Sequence, residues 1–240
     1  MIIYGWNPVR EAIRSDPSRI RFVAVAQGEE HGKRARLVAE LKDAGVPVRY
    51  LPKARLDRLA EGGVHNGVVA EVASVGYADF EEKVREEGLR FVLLLDQIQD
   101  PQNVGAILRV ADAMGVDLVA MTEHDSAGLT PVVVKASAGA AEWVPVAQVT
   151  NLSRAIESLK ESGFWVYGAD GSGDELSGID LRGKVALVLG SEGGGIRKNV
   201  RAHCDRLVRI PMRGKVESLN VATAAAVLAY EVDRQNREES

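Results

Sequence analysis

Val185-Ala-Leu-Val-Leu-Gly-Ser-Glu-Gly-Gly-Gly195 joins an unbroken apolar run to a glycine-rich turn, and the fold is decided by how this stretch is read. Five apolar residues without polar alternation describe a strand buried on both faces. The glycines that follow let the chain turn at positive φ and let a ligand approach the backbone. A second strand pattern, Arg206-Leu-Val-Arg-Ile210, leads through Pro211-Met-Arg-Gly214 to Val216-Glu-Ser-Leu-Asn220 and an alanine-rich helix. Two such loops leaving neighbouring strand ends enclose a ligand crevice.

Working outward, residues 91–95, 117–121 and 164–167 repeat the apolar-run pattern, and helical segments at 101–114 and 152–162 separate them. The alternation predicts an α/β fold with a parallel sheet covered on both faces. Ligands of such sheets sit outside the carboxyl ends of the strands. Gly190–Gly195 and Gly168-Ala-Asp-Gly-Ser-Gly173 are both expected at such ends. Neither is a nucleotide motif. Gly195 is followed by Ile196-Arg197 rather than Lys-Ser/Thr, and Gly171-Ser-Gly173 lacks the dinucleotide spacing. On pattern alone the glycine run is either a plain loop or a binding loop.

Upstream, the order of elements changes. Asn7-Pro8 suggests a helix start running to residue 14. A strand at 20–25, a helix at 33–44 stopped by Gly45, a strand at 46–51, a helix over 56–60 and a strand at 67–72 follow. Residues 1–75 thus make a small α/β domain, 76–88 a charged linker, and 89–240 the main domain.

Composition narrows the function. The chain has 240 residues, 46% hydrophobic and 27% charged, as expected of an ordinary globular protein. From Met1-Ile-Ile-Tyr-Gly-Trp-Asn-Pro8 no secretion signal is expected, the apolar runs are too short to span a membrane, and the single cysteine, Cys204, excludes an internal disulfide. A cytoplasmic location follows as the expectation. The formal net charge of -4 is unevenly spread: residues 1–75 carry 12 Lys and Arg against 9 acids, a net of +3, leaving -7 for the rest. A basic front suits either RNA contact or mere solubility. His124, His203 and Cys204 have no metal-ligand spacing, so no metal is expected.

In the helix at 101–114, Asp100 is the expected N-cap, Pro101 the first helical residue and Gly115 the stop. Val104, Ile107, Leu108 and Ala111 share one face. Arg109 points away from it, among Gly105, Ala106 and Ala113, and is either a solvated arginine or one that a substrate approaches. Near the glycine loop, Arg197, Lys198, Arg201, Arg206, Arg209, Arg213 and Lys215 form a dense basic set that is open to RNA phosphates.

Three motifs, Asn103-Val-Gly-Ala-Ile-Leu-Arg109, Leu189-Gly-Ser-Glu-Gly-Gly-Gly195 and Ile210-Pro-Met through Ser218-Leu-Asn-Val-Ala222, resemble in wording, order and spacing those of the SpoU/TrmH branch of the SPOUT methyltransferases. Tyr4-Gly5 and His65-Asn66-Gly67 resemble the small RNA-binding domain of the branch that modifies large-subunit ribosomal RNA, with Asn66 where many relatives have glutamine. The resemblance implies a C-terminal trefoil knot, which a rule against threaded chains would have rejected, and a homodimer. It implies methyl transfer from S-adenosylmethionine to a ribose 2'-hydroxyl, with a guanosine of large-subunit ribosomal RNA as the expected target. By the family's pattern Arg109 is the catalytic arginine. Because a guanidinium holds its proton, binding phosphate and stabilising charge on the oxygen is its expected role. Asn103, Glu192, Ser218 and Asn220 are the other implied catalytic residues. Gly190, Ile210, Met212 and Leu219 are the implied cofactor-binding residues. A transfer RNA methyltransferase and a non-catalytic RNA-binding protein of the same fold are the alternatives.

Overall fold

The computed structural model describes residues 1–28 and 32–237, which form two compact units. One comprises residues 1–76 with 129–143; the other comprises 77–128 with 144–240.

In the smaller unit β1 (Ile2–Tyr4), α1 (Trp6–Ser15), β2 (Ile20–Ala26), α2 (Lys33–Asp43), β3 (Val48–Leu51), α3 (Lys53–Leu59) and β4 (Val68–Val72) build a four-stranded sheet of order β1-β4-β2-β3. Among the described residues the β2/β3 pair is parallel and the β1/β4 and β2/β4 pairs are antiparallel. α1 starts earlier than Asn7-Pro8 suggested. Gly5, at φ 96, is its N-cap, a conformation open to glycine that requires no capping side chain. β1 was not read from the sequence, because three residues ending in Tyr-Gly are too few to show a period.

Residues 129–143 belong to this unit although they lie far along the chain. Their helix, which becomes α6 (Pro131–Ala136), packs on β1 and α1. Arg19 Nη1 meets Glu142 Oε2 at 2.6 Å, the Glu142 side chain being fully buried. Trp143 Nε1 donates to Glu11 Oε2 at 3.1 Å. Gly139, at φ +99, lies where a Cβ would come within 2.7 Å of the Glu11 side chain.

The larger unit adds α4 (Phe80–Val84), β5 (Phe91–Asp96), α5 (Pro101–Ala113), β6 (Leu118–Thr122), β7 (Val146–Val149), α7 (Leu152–Glu161), β8 (Trp165–Glu175), β9 (Val185–Gly190), α8 (Lys198–Arg201), β10 (Arg206–Arg209) and α9 (Val221–Arg237). The six strands are all parallel, in the order β10-β8-β9-β5-β6-β7. Val92, Leu94, Ala186 and Val188 pack on one face with Leu152, Ile156 and Leu159 of α7. Leu93, Leu95, Leu187 and Leu189, of opposite parity, are equally buried. Both faces are therefore covered, as the continuous apolar runs require. The sequence-stretch 76–88 is not wholly a connector: Phe80 and Val84, one helical turn apart, are buried in the same core.

Gly168–Gly173 is strand rather than loop, since β8 runs on to Glu175. Two of its glycines, Gly168 and Gly173, serve a close neighbour. A Cβ on Gly173 would stand 2.4 Å from the Leu207 carbonyl carbon of β10, where the pairing register shifts. α9 packs against α5 and β9. Its end is stitched to the segment before β9: Gln235 Oε1 accepts from Leu181 N–H, and Asn236 Oδ1 accepts from Gly183 N–H.

Candidate active site

β9 delivers the chain to a turn that closes on itself. Ser191 N–H donates to Gly195 O at 3.1 Å, and Gly195 N–H donates to Ser191 O at 2.9 Å. Gly193 and Gly195 take φ values of 78° and 62°, so glycine is required at both. Gly190 is constrained differently: a Cβ there would lie 2.1 Å from the Gly195 carbonyl carbon. That space is filled by the loop's own backbone.

The far end of the turn is anchored by a pair that the sequence reading missed. Asp96, fully buried at the end of β5, accepts Arg197 N–H at 2.8 Å and Arg197 Nε–H at 2.7 Å. A buried carboxylate needs such paired donors. The signal was available, as an aspartate ending an apolar run has to be satisfied by something, but its partner lies about a hundred positions away.

Asn220 organises the other wall. Its Oδ1 accepts from the N–H groups of Ala222 and Thr223, at 3.0 and 3.3 Å, and so caps α9. Its Nδ2 donates to Asn103 Oδ1 at 2.9 Å and to Glu192 Oε1 at 2.6 Å. Three distant motif residues, on α5, on the glycine turn and at the start of α9, thus meet at one amide. Asn103 is buried in the first turn of α5, where the Asp100 cap accepts from Gln102 N–H as expected.

Between these walls lies a cavity of about 530 Å³ at the carboxyl ends of β8, β9 and β10. Gly190, Ile210, Met212, Leu219, Glu192, Ser218 and Asn220 all line it. Asn103 joins it through Asn220. Arg109 does not line it. Its side chain is exposed on α5, and among the described residues it has no hydrogen bond or ion pair. Six residues beyond Asn103, it stands about 9 Å along the helix axis and about 120° around it. The small-residue face expected beside it is partly closed, because Gly105 is buried.

Among the described residues, none of the backbone groups of 211–219 makes a backbone hydrogen bond. Of this segment Met212, Glu217, Ser218 and Leu219 line the cavity and leave it available N–H and C=O groups, while Leu189, Ile210, Val221 and Leu228 supply apolar surface. The volume and this mixture suit a ligand with a flat apolar body and hydrogen-bonding edges. Asp170, on the rim, is held below the usual carboxylate range mainly by the Ser172 hydroxyl.

Of the seven clustered cations, three are committed to acids: Arg197 to Asp96, Arg201 to Asp170 and Arg209 to Glu175. Lys198, Arg206, Arg213 and Lys215 have no hydrogen bond or ion pair among the described residues, although Arg206 lies close enough to Tyr167 to act on its hydroxyl. Burial pushes the Cys204 thiol up to about 11. Among the described residues no group of three or more His, Cys, Asp or Glu could hold a metal ion, and no helix is long and apolar enough to cross a membrane.

Two family descriptions match the chain: the SpoU rRNA Methylase family over residues 90–230, and RNA 2'-O ribose methyltransferase substrate binding over residues 2–78. A protein named only as a member of the TrmH family of tRNA/rRNA methyltransferases, YacO of Bacillus subtilis, is 40% identical over 97% of this chain and 95% of its own length. The 23S rRNA (guanosine-2'-O-)-methyltransferase RlmB of Pseudomonas aeruginosa is 43% identical over 97% of this chain and 96% of its own. Among solved structures, the SpoU methyltransferase AviRb of Streptomyces viridochromogenes, in complex with the cofactor AdoMet, superimposes with a TM-score of 0.79. The identity is 27%, and the match covers 98% of this chain and 89% of that one.

Proposed function

We propose, from the premise that this chain belongs to the SpoU rRNA methylase family, that it transfers a methyl group from S-adenosylmethionine to the 2'-hydroxyl of a guanosine in large-subunit ribosomal RNA. The observation that carries the proposal is the meeting of Asn103 with Glu192 and Asn220, two residues that line the 530 Å³ cavity. The cavity fits S-adenosylmethionine. Backbone groups of Met212, Glu217, Ser218 and Leu219 are available to the polar edge of an adenine, and Leu189, Ile210, Leu219 and Leu228 to its faces. When bound, that cofactor supplies an electrophilic methyl group.

The chain's residues then divide the work. Gly190, Ile210, Met212 and Leu219 hold the cofactor. Asn220 orients the Glu192 carboxylate from 2.6 Å, and Asn103 fixes Asn220 in turn. Ser218 offers an exposed hydroxyl beside the start of α9. Arg109 binds the phosphate next to the reacting ribose and stabilises negative charge as it develops on the oxygen, the largest kind of contribution available to such a group.

Arg109 is exposed and displaced from the cavity of its own chain. This supports a homodimer in which α5 and α9 face a second copy, an arrangement that also covers Val227 and Tyr230, exposed on α9. The return of the chain from the edge strand β10 to α9, packed on central β9, supports the trefoil knot. RNA is the partner, and the cytoplasm the location, that this activity requires.

The test is to map ribose methylation across total RNA from cells with and without the gene, and to repeat it with purified protein and S-adenosylmethionine. Loss and restoration of one 2'-O-methylguanosine in large-subunit ribosomal RNA is expected. Methylation confined to transfer RNA would favour the alternative substrate. No change in any RNA would favour a non-catalytic binder.

A further inference from the structure

The smaller unit holds a cavity of its own, about 440 Å³, between the end of β2, α3 and the turn 62–67. Nothing in the methyl-transfer site uses it. Its fixed point is His65, a polar side chain only 4% exposed. Gly67 N–H donates to His65 Nδ1 at 2.9 Å, so the proton sits on Nε2, which faces Asp57 Oδ1 at 2.9 Å. Both ring nitrogens are occupied, which leaves the imidazole a strut rather than a ligand or a base.

The strut holds a turn in which Asn66 and Gly67 both take left-handed backbone, at φ 52° and 84°. Asparagine tolerates that region better than most residues. The Asn66 amide is exposed and has no hydrogen-bond partner among the described residues. Beside it in the cavity wall stand Val64, 71% exposed, and Lys53, with no acid partner among the described residues. Arg55 and Arg58 of α3 are likewise unpaired among the described residues.

An amide that both donates and accepts matches the edge of an unstacked base, an exposed aliphatic residue matches its face, and an ammonium matches its phosphate. We propose that this cavity binds one unstacked nucleotide of the RNA substrate. Asn66 reads the base edge, Lys53 neutralises the phosphate, and His65 is the positioning residue that presents Asn66. The proposal rests on the reading of the chain as an RNA 2'-O-methyltransferase.

The test uses the full-length protein and the ribosomal RNA fragment that it methylates. Asn66→Gly keeps the left-handed backbone and deletes the amide; Asn66→Asp keeps the shape and deletes the donor; Lys53→Ala deletes the charge. Each is expected to weaken RNA binding roughly 5- to 20-fold, the range of one base or phosphate contact. KM for RNA should rise while kcat at saturating RNA and S-adenosylmethionine affinity stay unchanged. Lys53→Ala should also reduce the salt dependence of binding by about one unit of slope. His65→Ala should weaken RNA binding, and adding Asn66→Gly to it should weaken binding no further, a coupling that a merely structural histidine would not show. If the wild type methylates RNA and all the variants bind as it does, the nucleotide pocket is overturned while the activity stands. If the wild type neither binds nor methylates RNA, the activity itself fails.

Discussion

Asn220 does two jobs with one amide, and substitution can separate them. Its oxygen caps α9, and its nitrogen joins Asn103 to Glu192. Asn220→Ala removes both. Losing the cap costs about 1 kcal/mol, which for a chain of this size lowers Tm by roughly 2–4 °C. Asn220→Asp retains the cap, because aspartate caps as well as asparagine. It deletes both nitrogen-donated bonds and sets a second carboxylate against Glu192. One neutral bond contributes about 1 kcal/mol and one to a charged partner about 1.5–3 kcal/mol. Glu192 is exposed, so solvent screening brings the sum to about 2 kcal/mol, or roughly 30-fold in rate. Single-turnover methyl transfer and thermal unfolding, measured on both variants, should therefore diverge. Activity falls to a similar extent in each, whereas Tm falls further in Asn220→Ala, by the roughly 2–4 °C that the cap contributes. An Asn220→Asp variant as active as wild type would refute the idea that the three residues work through this nitrogen.

Gly190→Ala should abolish S-adenosylmethionine binding in calorimetry by opening the 191–195 turn, because its Cβ would meet Gly195 backbone rather than project into the cavity; unchanged affinity would contradict that geometry. Arg109→Ala should lower single-turnover transfer about 100- to 1000-fold with cofactor affinity and Tm unchanged, and Arg109→Lys should restore little, since an ammonium lacks the two-pronged contact to phosphate. Removing residues 1–75 should yield a poorly folded protein in size-exclusion chromatography, because α6 loses β1 and α1, and Val133, Val134, Ala140 and Ala141 lose their cover. For Cys204, whose thiol burial pushes up to about 11 from its usual 9.0, the folded state favours the protonated form. Its contribution to stability is complete below the unfolded value and is lost as pH rises through about 11. Denaturant midpoints of the wild type should thus fall more between these limits than those of Cys204→Ala.

Periodicity made the larger sheet legible, because strands buried on both faces leave continuous apolar runs, and here these alternate with helical segments. It failed where a strand carries glycine for its neighbour's sake. Gly168 to Gly173 reads as a loop in one dimension, and only the approach of Leu207 shows why a strand needs glycine there. β7, at the far edge, was missed because Val146–Val149 is four residues long and follows Pro145. The motif residues of the cavity could be named from the resemblance, but the Asp96–Arg197 anchor could not, since neither belongs to the motifs quoted for it.

The division of the chain exposes a further limit of linear reading. A boundary near residue 76 follows from the weak, charged stretch around it, and the substrate-binding description ends close by, at residue 78. Yet the chain crosses between units three times, since 129–143 returns to the smaller one. Residues 129–143 lie within 89–240, the range that the sequence reading gives to the main domain. What assigns them elsewhere is pairwise and distant: Arg19 must neutralise a fully buried Glu142, and Gly139 must lie bare against Glu11. A buried carboxylate deprived of its arginine is among the costlier single losses in a folded chain. The smaller unit is therefore not a detachable module, and an RNA-binding role for it is better tested by point substitutions in its own cavity than by deletion.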